Sequence, residues 1–159
     1  MKILIVSDTH RSNSNFLEAL ECEGKIDVLI HAGDVEGSEY LYTEAIDGDV
    51  YMVSGNNDFF SPLEREEEFD IGGYHFLLTH GHYYRVNMGY EILKEEAQAR
   101  GADIVIYGHI HRPVVEFEDG LWIINPGSLS YPRQVGHQPT YAVMNLRAGF
   151  DPEIEIKYL

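Results

Sequence analysis

Ile3-Leu4-Ile5-Val6-Ser7-Asp8-Thr9-His10 opens the chain with an unbroken apolar run that ends on an acid and an imidazole. Continuous apolar runs of this length read as strands buried on both faces. The carboxyl ends of such strands are where open α/β sheets build their sites. Five further runs repeat the pattern. Val28-Leu29-Ile30 leads to Gly33-Asp34, and Val50-Tyr51-Met52-Val53 to Gly55-Asn56-Asn57-Asp58. Phe76-Leu77-Leu78 leads to His80-Gly81-His82, and Ile104-Val105-Ile106 to Gly108-His109-Ile110-His111. Leu121-Trp122-Ile123-Ile124 leads to Asn125-Pro126-Gly127-Ser128. Asp8, His10, Asp34, Asn56, His80, His109 and His111 thus gather along one sheet edge. Two Asp, one Asn and four His suit two transition-metal ions, since one ion needs only about half of them.

The 159 residues fit one domain, residues 1–159, large enough to bury a core without staples. The lone Cys22 excludes a disulfide framework and a cysteine zinc site, and is expected as a small buried or half-buried residue. No run reaches transmembrane length, and Met1-Lys2 passes straight into the first strand with no room for a signal peptide, so no membrane partner and a cytoplasmic location are expected. Only 11 Lys and Arg stand against 27 Asp and Glu, a net charge of −16, which disfavours long nucleic acid as a partner. A small anion drawn locally by metal ions is not excluded. Elsewhere the excess acid, Glu64 to Glu68 included, reads as solvated surface.

Between the first two runs, Ser12 to Cys22 reads as a helix with Phe16, Leu17 and Leu20 on one face. Ser38 to Ile46 carries a weaker helical pattern. Asn87 to Arg100 is the clearest, with Asn87 as cap, Tyr90, Leu93 and Ala97 sharing a face, and Gly101 as terminator. The first half therefore reads β-α-β-α-β, with parallel strands and right-handed crossovers. Later, Gly72-Gly73 and Asp119-Gly120 mark two hairpins, and Tyr141 to Leu146 and Ile154 to Tyr158 read as further strands. So many strands with few helices predict two stacked mixed sheets flanked by helices.

Each polar cluster also has a plainer reading. Asp8 and His10, at i and i+2 past a strand, can point the same way. A turn acid and a surface histidine explain a lone pair of this kind as well. An oxygen and an imidazole together favour Mn²⁺, Fe, Co²⁺, Ni²⁺ or Zn²⁺ over Ca²⁺ or Mg²⁺ alone. Asp34 reads as a helix cap or as a carboxylate able to bridge two ions, and Gly-Asn-Asn-Asp is also turn chemistry. His109 and His111 repeat the i, i+2 spacing, and His80 the strand-end position. The joint placement, rather than any one residue, carries the dinuclear expectation.

Asp8-x-His10, Gly33-Asp34, Gly55-Asn56-x-Asp58, His80-Gly81-His82 and Gly108-His109-x-His111 resemble the five ordered signatures of calcineurin-like metallophosphoesterases. Asn125-Pro126-Gly127-Ser128 with Pro132-Arg133 is similar to their small prokaryotic phosphodiesterase branch. The resemblance implies an αββα sandwich and two divalent ions, Mn²⁺ being the first expectation. It assigns Asp8, His10, Asp34 and His111 to one ion and Asp34, Asn56, His80 and His109 to the other, with Asp34 bridging. Many members carry Gly-Asn-His followed by an acid, where the imidazole protonates the leaving group. Here Asn57 and Asp58 fill that catalytic slot, and an amide donates no proton as an acid. Members without that histidine are associated with diesters. Arg11, His82, Tyr131 and Arg133 lie near enough in sequence to contact substrate, with solvated or plain loop positions as the alternative. His31, His75 and His137 read as ordinary.

Two divalent ions less two carboxylates and a bridging hydroxide leave a net positive centre suited to a mono-anionic diester. The expectation is hydrolysis of small phosphodiesters. The alternatives are a phosphomonoesterase or pyrophosphatase, and a non-catalytic scaffold of the same fold, against which all seven ligand positions are filled. Relatives of this kind associate, so a homo-oligomer is also expected.

Overall fold

The computed structural model describes residues 1–159. In chain order the elements are β1 (Lys2–Val6), α1 (Ser14–Glu23), β2 (Val28–His31), α2 (Glu39–Glu44), β3 (Asp49–Met52), β4 (Glu66–Ile71) and β5 (Tyr74–Thr79). Two 3₁₀ turns follow, His82–Tyr84 and Val86–Met88, then α3 (Glu91–Ala99), β6 (Ile104–Ile106), β7 (Pro113–Glu118), β8 (Leu121–Pro126), β9 (Thr140–Asn145) and β10 (Glu153–Tyr158). The strands form two five-stranded mixed sheets, ordered β10-β9-β1-β2-β3 and β4-β5-β6-β8-β7.

The continuous apolar runs are explained by alternation into two different cores. Ile3, Ile5, Val28 and Ile30 face Phe76, Leu78, Ile104, Ile106 and Ile124 of the other sheet. Leu4, Val6 and Leu29 point the opposite way, onto Phe16 and Ala19 of α1 and Tyr42 of α2. On the far side Leu77, Val105 and Ile123 pack against Leu93 and Ala97 of α3. The layers are therefore helix, sheet, sheet, helix, the αββα arrangement expected. β1, β2 and β3 pair in parallel, as do β5, β6 and β8, so the ends of the central strands of each sheet open toward one edge of the sandwich. The two hairpins, β4–β5 and β7–β8, form where the Gly72-Gly73 and Asp119-Gly120 turns place them.

Several local expectations are corrected. α1 turns Phe16 and Ala19 inward and leaves Leu17 half exposed, because the buried positions follow i, i+3 spacing. Cys22 lies on the outer side of the same helix and is exposed, not buried. α2 is only the six residues Glu39–Glu44. α3 starts at Glu91 with Tyr90 as its cap residue, so Asn87 does not cap it. Asn87 sits in the preceding 3₁₀ turn, and Gly89, at φ +133°, interrupts the helical path between them. Glu66, Glu67 and Glu68 lie in β4 and none of them is buried, so they stay at the surface as expected, although Glu66 takes an ion pair from Arg100. No helix is long and apolar enough to cross a membrane.

Candidate metal centre

Six strand-end loops meet at one edge, and two features bring them close. Gly108 has no side chain because a Cβ there would lie 2.1 Å from Ser7 Oγ and 2.9 Å from Asp8 Oδ2. At Gly55 a Cβ would lie 2.1 Å from Asp34 Oδ1. The loops also pin one another: Asp8 N–H donates to the Gly33 carbonyl and His10 N–H to the Asp34 carbonyl, both at 3.0 Å. The loop after β8 closes the arrangement, with Ser128 Oγ donating to the Asp8 carbonyl at 2.8 Å and Asn125 Nδ2 to the Gly108 carbonyl at 2.8 Å.

Within this frame the side chains are aimed one atom at a time. Ser7 Oγ (2.6 Å) and His109 N–H (3.0 Å) both donate to Asp8 Oδ2. Asp8 Oδ1 is left buried with no hydrogen-bond partner. Its nearest neighbour, His111 Nε2 at 2.9 Å, lies off the direction a ring N–H needs. Burial drives the Asp8 carboxyl upward, but His111, the charge of His80 and the Ser7 hydroxyl outweigh it and hold the group at about 2. Burial likewise opposes charge on His111, and Asp8 with the Tyr131 carbonyl outweighs it, so that imidazole is raised. His109 is lowered, by burial and then by the charge of His80.

The imidazoles are held by their far nitrogens. His80 Nδ1 donates to the Ala32 carbonyl and His111 Nδ1 to the Tyr131 carbonyl, each at 2.7 Å. His10 Nδ1 pairs with Glu36 Oε1 at 2.7 Å. All three therefore present Nε2 to the centre, and His10 Nε2 is buried without a partner. His80 Nε2 meets the Asn56 amide oxygen at 3.1 Å. With its one proton committed to Ala32, a neutral His80 sets lone pair against lone pair there, which calls for a cation beside them.

Asp34 Oδ2 stands 3.6 Å from both His10 Nε2 and His80 Nε2. Asp8 Oδ1 stands 3.9 and 4.0 Å from the same two atoms. Ligands held about 2.1 Å from an ion stand about 3–4 Å from one another, so these spacings fit divalent ions. Two sets of ligand atoms, Asp8, His10, His111 and Asp8, Asp34, His80, each lie within 4.8 Å of one another. The member common to both is Asp8, whereas the sequence reading has Asp34 in common. His109 belongs to neither tight set; its ring lies 5.2 Å from that of His80, on the wall of the central cavity of about 450 Å³.

Asn57 and Asp58 have contacts of a different kind. Asn57 Nδ2 donates to Asp34 Oδ2 at 2.7 Å and its backbone N–H to Oδ1 at 2.9 Å. The Asp58 carboxylate accepts the backbone N–H of Glu36 (2.5 Å), Gly55 (2.7 Å) and Val35 (3.1 Å). It ties the β2 and β3 loops together.

Arg11 Nε donates to the Glu36 carbonyl at 2.9 Å while most of the side chain faces solvent. Tyr131 and Arg133 line the central cavity, with the Tyr131 ring edge-on to His10 at 5.1 Å. The His82 ring packs tilted against Tyr83, centroids 4.0 Å apart, and its pKa is pushed down to about 4 by burial and the charge of His80. His31 is buried under the site between Thr9 Oγ1 (3.0 Å) and the Gly33 N–H (3.2 Å). His75 pairs with Asp70 and Glu68, and His137 with the Pro132 carbonyl. Glu36 is the functional residue the sequence reading missed. The one available signal is its i, i+2 position after Asp34, the spacing that carries weight at Asp8 and His109.

The family model of the calcineurin-like phosphoesterase superfamily domain matches residues 1–149. The chain is 35% identical to the "Probable metallophosphoesterase" of Mycoplasma pneumoniae over 152 residues, covering 93% of this chain and 91% of that one. It is 31% identical to phosphodiesterase MJ0936 of Methanocaldococcus jannaschii over 144 residues, covering 80% and 83% of the two chains. The fold is shared with the zinc complex of Vps29 from Entamoeba histolytica, at a TM-score of 0.78 and 23% identity over 99% of each chain. Five loop signatures, a sandwich that gathers them at one edge, and a sequence match across nearly the whole length agree: the chain belongs to the calcineurin-like phosphoesterase superfamily.

Proposed function

We propose that this protein, as a single domain over residues 1–159, is a metal-dependent phosphodiesterase that hydrolyses small diesters at a dinuclear centre. The observation that carries the reading is the buried pair of atoms without hydrogen-bond partners, Asp8 Oδ1 and His10 Nε2, among aimed imidazole nitrogens and Asp34. Asp8, His10, Asp34 and His111 would hold one ion and Asp34, Asn56, His80 and His109 the other, Mn²⁺ being the first candidate. Bound ions would lower the pKa of water to supply a nucleophile at neutral pH and would clamp the phosphate oxygens. The chain's own residues do the rest. Glu36 and the Ala32 and Tyr131 carbonyls fix which ring nitrogen faces inward. Asn57 fixes the rotation of Asp34 and offers no acidic proton. Arg133, on the cavity wall and paired with no carboxylate, is placed to meet a phosphate oxygen.

The similarity to phosphodiesterase MJ0936 supports the diester choice. Against the alternative of a non-catalytic scaffold of the same fold stand the filled ligand positions and two orphaned buried atoms.

Elemental analysis after Mn²⁺ loading should approach two ions per chain, and an aryl diester should be turned over faster than an alkyl monoester. General acid catalysis is worth about 10²–10⁴-fold, so Asn57→His, with metal content checked, should raise monoester relative to diester turnover. A wild-type enzyme that favours alkyl monoesters at matched loading would remove the diester assignment.

A further inference from the structure

Beside the metal centre lies a second cavity of about 410 Å³. Asn56 lines both, so a phosphate held over the centre would direct one of its ester groups into this neighbour. Its walls are unusual for the surface of so acidic a chain. Phe59 is 79% exposed and Tyr83 58% exposed. The Arg65 guanidinium lies over the Tyr83 ring, 5.0 Å from its centroid. Exposed aromatics clustered at a cleft with polar groups around them mark a binding surface rather than a core.

The state of Arg65 is the sharper clue. Lys2, Arg11, Lys94, Arg100, Arg147 and Lys157 are ion-paired, whereas Lys25, Arg65, Arg85, Arg112 and Arg133 are not, and of these five Arg65 is the one that lies over an aromatic ring. It is unpaired although it stands between Glu64 and Glu66 in a chain where acids outnumber bases 27 to 11. Glu66 is taken by Arg100 and by the Tyr84 hydroxyl. The planar fork of Arg65 is thus a set of donors with no carboxylate partner, placed over an aromatic ring. A second depression of about 700 Å³ shares Phe59, Arg65 and Tyr83, so the cleft continues outward with room for more than a phenyl group.

We propose that this cavity is the subsite for one ester group of the diester, and that it takes a nucleoside whose base stacks on Phe59 and Tyr83 and accepts hydrogen bonds from Arg65. The proposal rests on the phosphodiesterase reading and narrows it to nucleotidyl diesters. A base offers both features the walls ask for, a π face and a rim of carbonyl and ring-nitrogen acceptors. An alkyl group offers neither. Stacking on an aromatic side chain is sequence-tolerant, so the identity of the base should matter less than its presence.

The test compares two diesters with the same leaving group, thymidine 5′-(p-nitrophenyl phosphate) and methyl p-nitrophenyl phosphate, on the Mn²⁺-loaded enzyme. The thymidine diester should have the higher kcat/KM by about tenfold or more. Phe59→Ala, Tyr83→Ala and Arg65→Ala should each remove most of that advantage through KM, and should leave the methyl diester unchanged. No preference in the wild type, or a preference that survives all three changes, overturns the proposal. So does a Phe59→Ala protein that passes from dimer to monomer by light scattering with its thymidine preference intact, which assigns the aromatics to a contact between copies. If neither diester is turned over, the phosphodiesterase reading fails by itself. The subsite is then judged by titrating thymidine 5′-monophosphate and inorganic phosphate into the loaded protein. Tighter binding of the nucleotide, lost in the three variants, supports it; equal binding overturns it.

Discussion

Replacing Glu36 should weaken one metal ion and spare the other. Of the imidazoles with a far-side hydrogen bond at the centre, His80 and His111 lean on neutral carbonyls and only His10 leans on a carboxylate. A carboxylate behind the ring fixes the tautomer and makes Nε2 a stronger donor, and losing such a partner typically costs about 10–100-fold in metal affinity. The His10 and Glu36 side chains are only 12% and 22% exposed, so solvent screens the pair incompletely and the effect belongs within that range. Glu36→Gln keeps an oxygen for the His10 N–H and loses only the charge, so it should fall near the lower end. Glu36→Ala loses both and should approach the upper end. Calorimetric titration of metal-free protein with Mn²⁺ near pH 7.5 should resolve two classes of site. Only the class containing His10 should weaken, while denaturant stability without metal stays nearly constant. Equal weakening of both classes, or none in Glu36→Ala, would falsify the assignment of Glu36 as the positioning residue of His10.

Two further predictions concern stability without metal. Asp58→Ala strands three backbone N–H groups that now share one carboxylate and should cost on the order of 3 kcal/mol by urea unfolding. Lost turnover at unchanged stability would instead return Asp58 to a direct catalytic role. His31, fully buried, is pushed down from 6.5 to about 4 by burial. The unfolded chain therefore binds the extra proton between those values, and stability present above pH 6.5 should fall by about 3 kcal/mol as pH drops toward 4. The depressed Asp8 carboxyl acts only below 3.8. His82 and His109, also lowered, contribute in the same window, so His31→Asn should reduce the slope there without abolishing it, and an unchanged slope would show that His31 does not contribute.

The strands and the ligand-bearing loops were legible because burial on both faces leaves a continuous apolar run, and the polar residues that end each run are those at the sheet edge. Helix limits were less legible. Nothing local distinguishes Asn87 as a cap from Asn87 in a 3₁₀ turn until Gly89 takes its positive φ. Leu17 and Cys22 were misplaced because the helix shows the sheet a stripe narrower than its apolar residues suggest. The partners of the ligands were invisible for a different reason. Glu36 meets His10 across 26 residues, and Asp58 meets backbone amides. Apart from the i, i+2 position of Glu36 after Asp34, neither relation leaves a spacing in the chain.

The backbone itself shows where this chain accepts strain. Ten non-glycine residues have positive φ, and seven of them, Asp8, His10, Arg11, Asp34, Glu36, His109 and His111, form the centre or its immediate support. Asp and His tolerate the left-handed region better than most residues, yet each such placement still costs about 1 kcal/mol. Glycine would relieve that cost and would also remove the ligand. The same loops bury Asp8 Oδ1 and His10 Nε2 without partners, a second unfavourable contribution at the same place. On the proposed reading the compensation is the binding free energy of the ions, which are held only by the folded chain and so stabilise it. The centre then acts as the last element of the fold, assembled by the sheets and completed by what it binds.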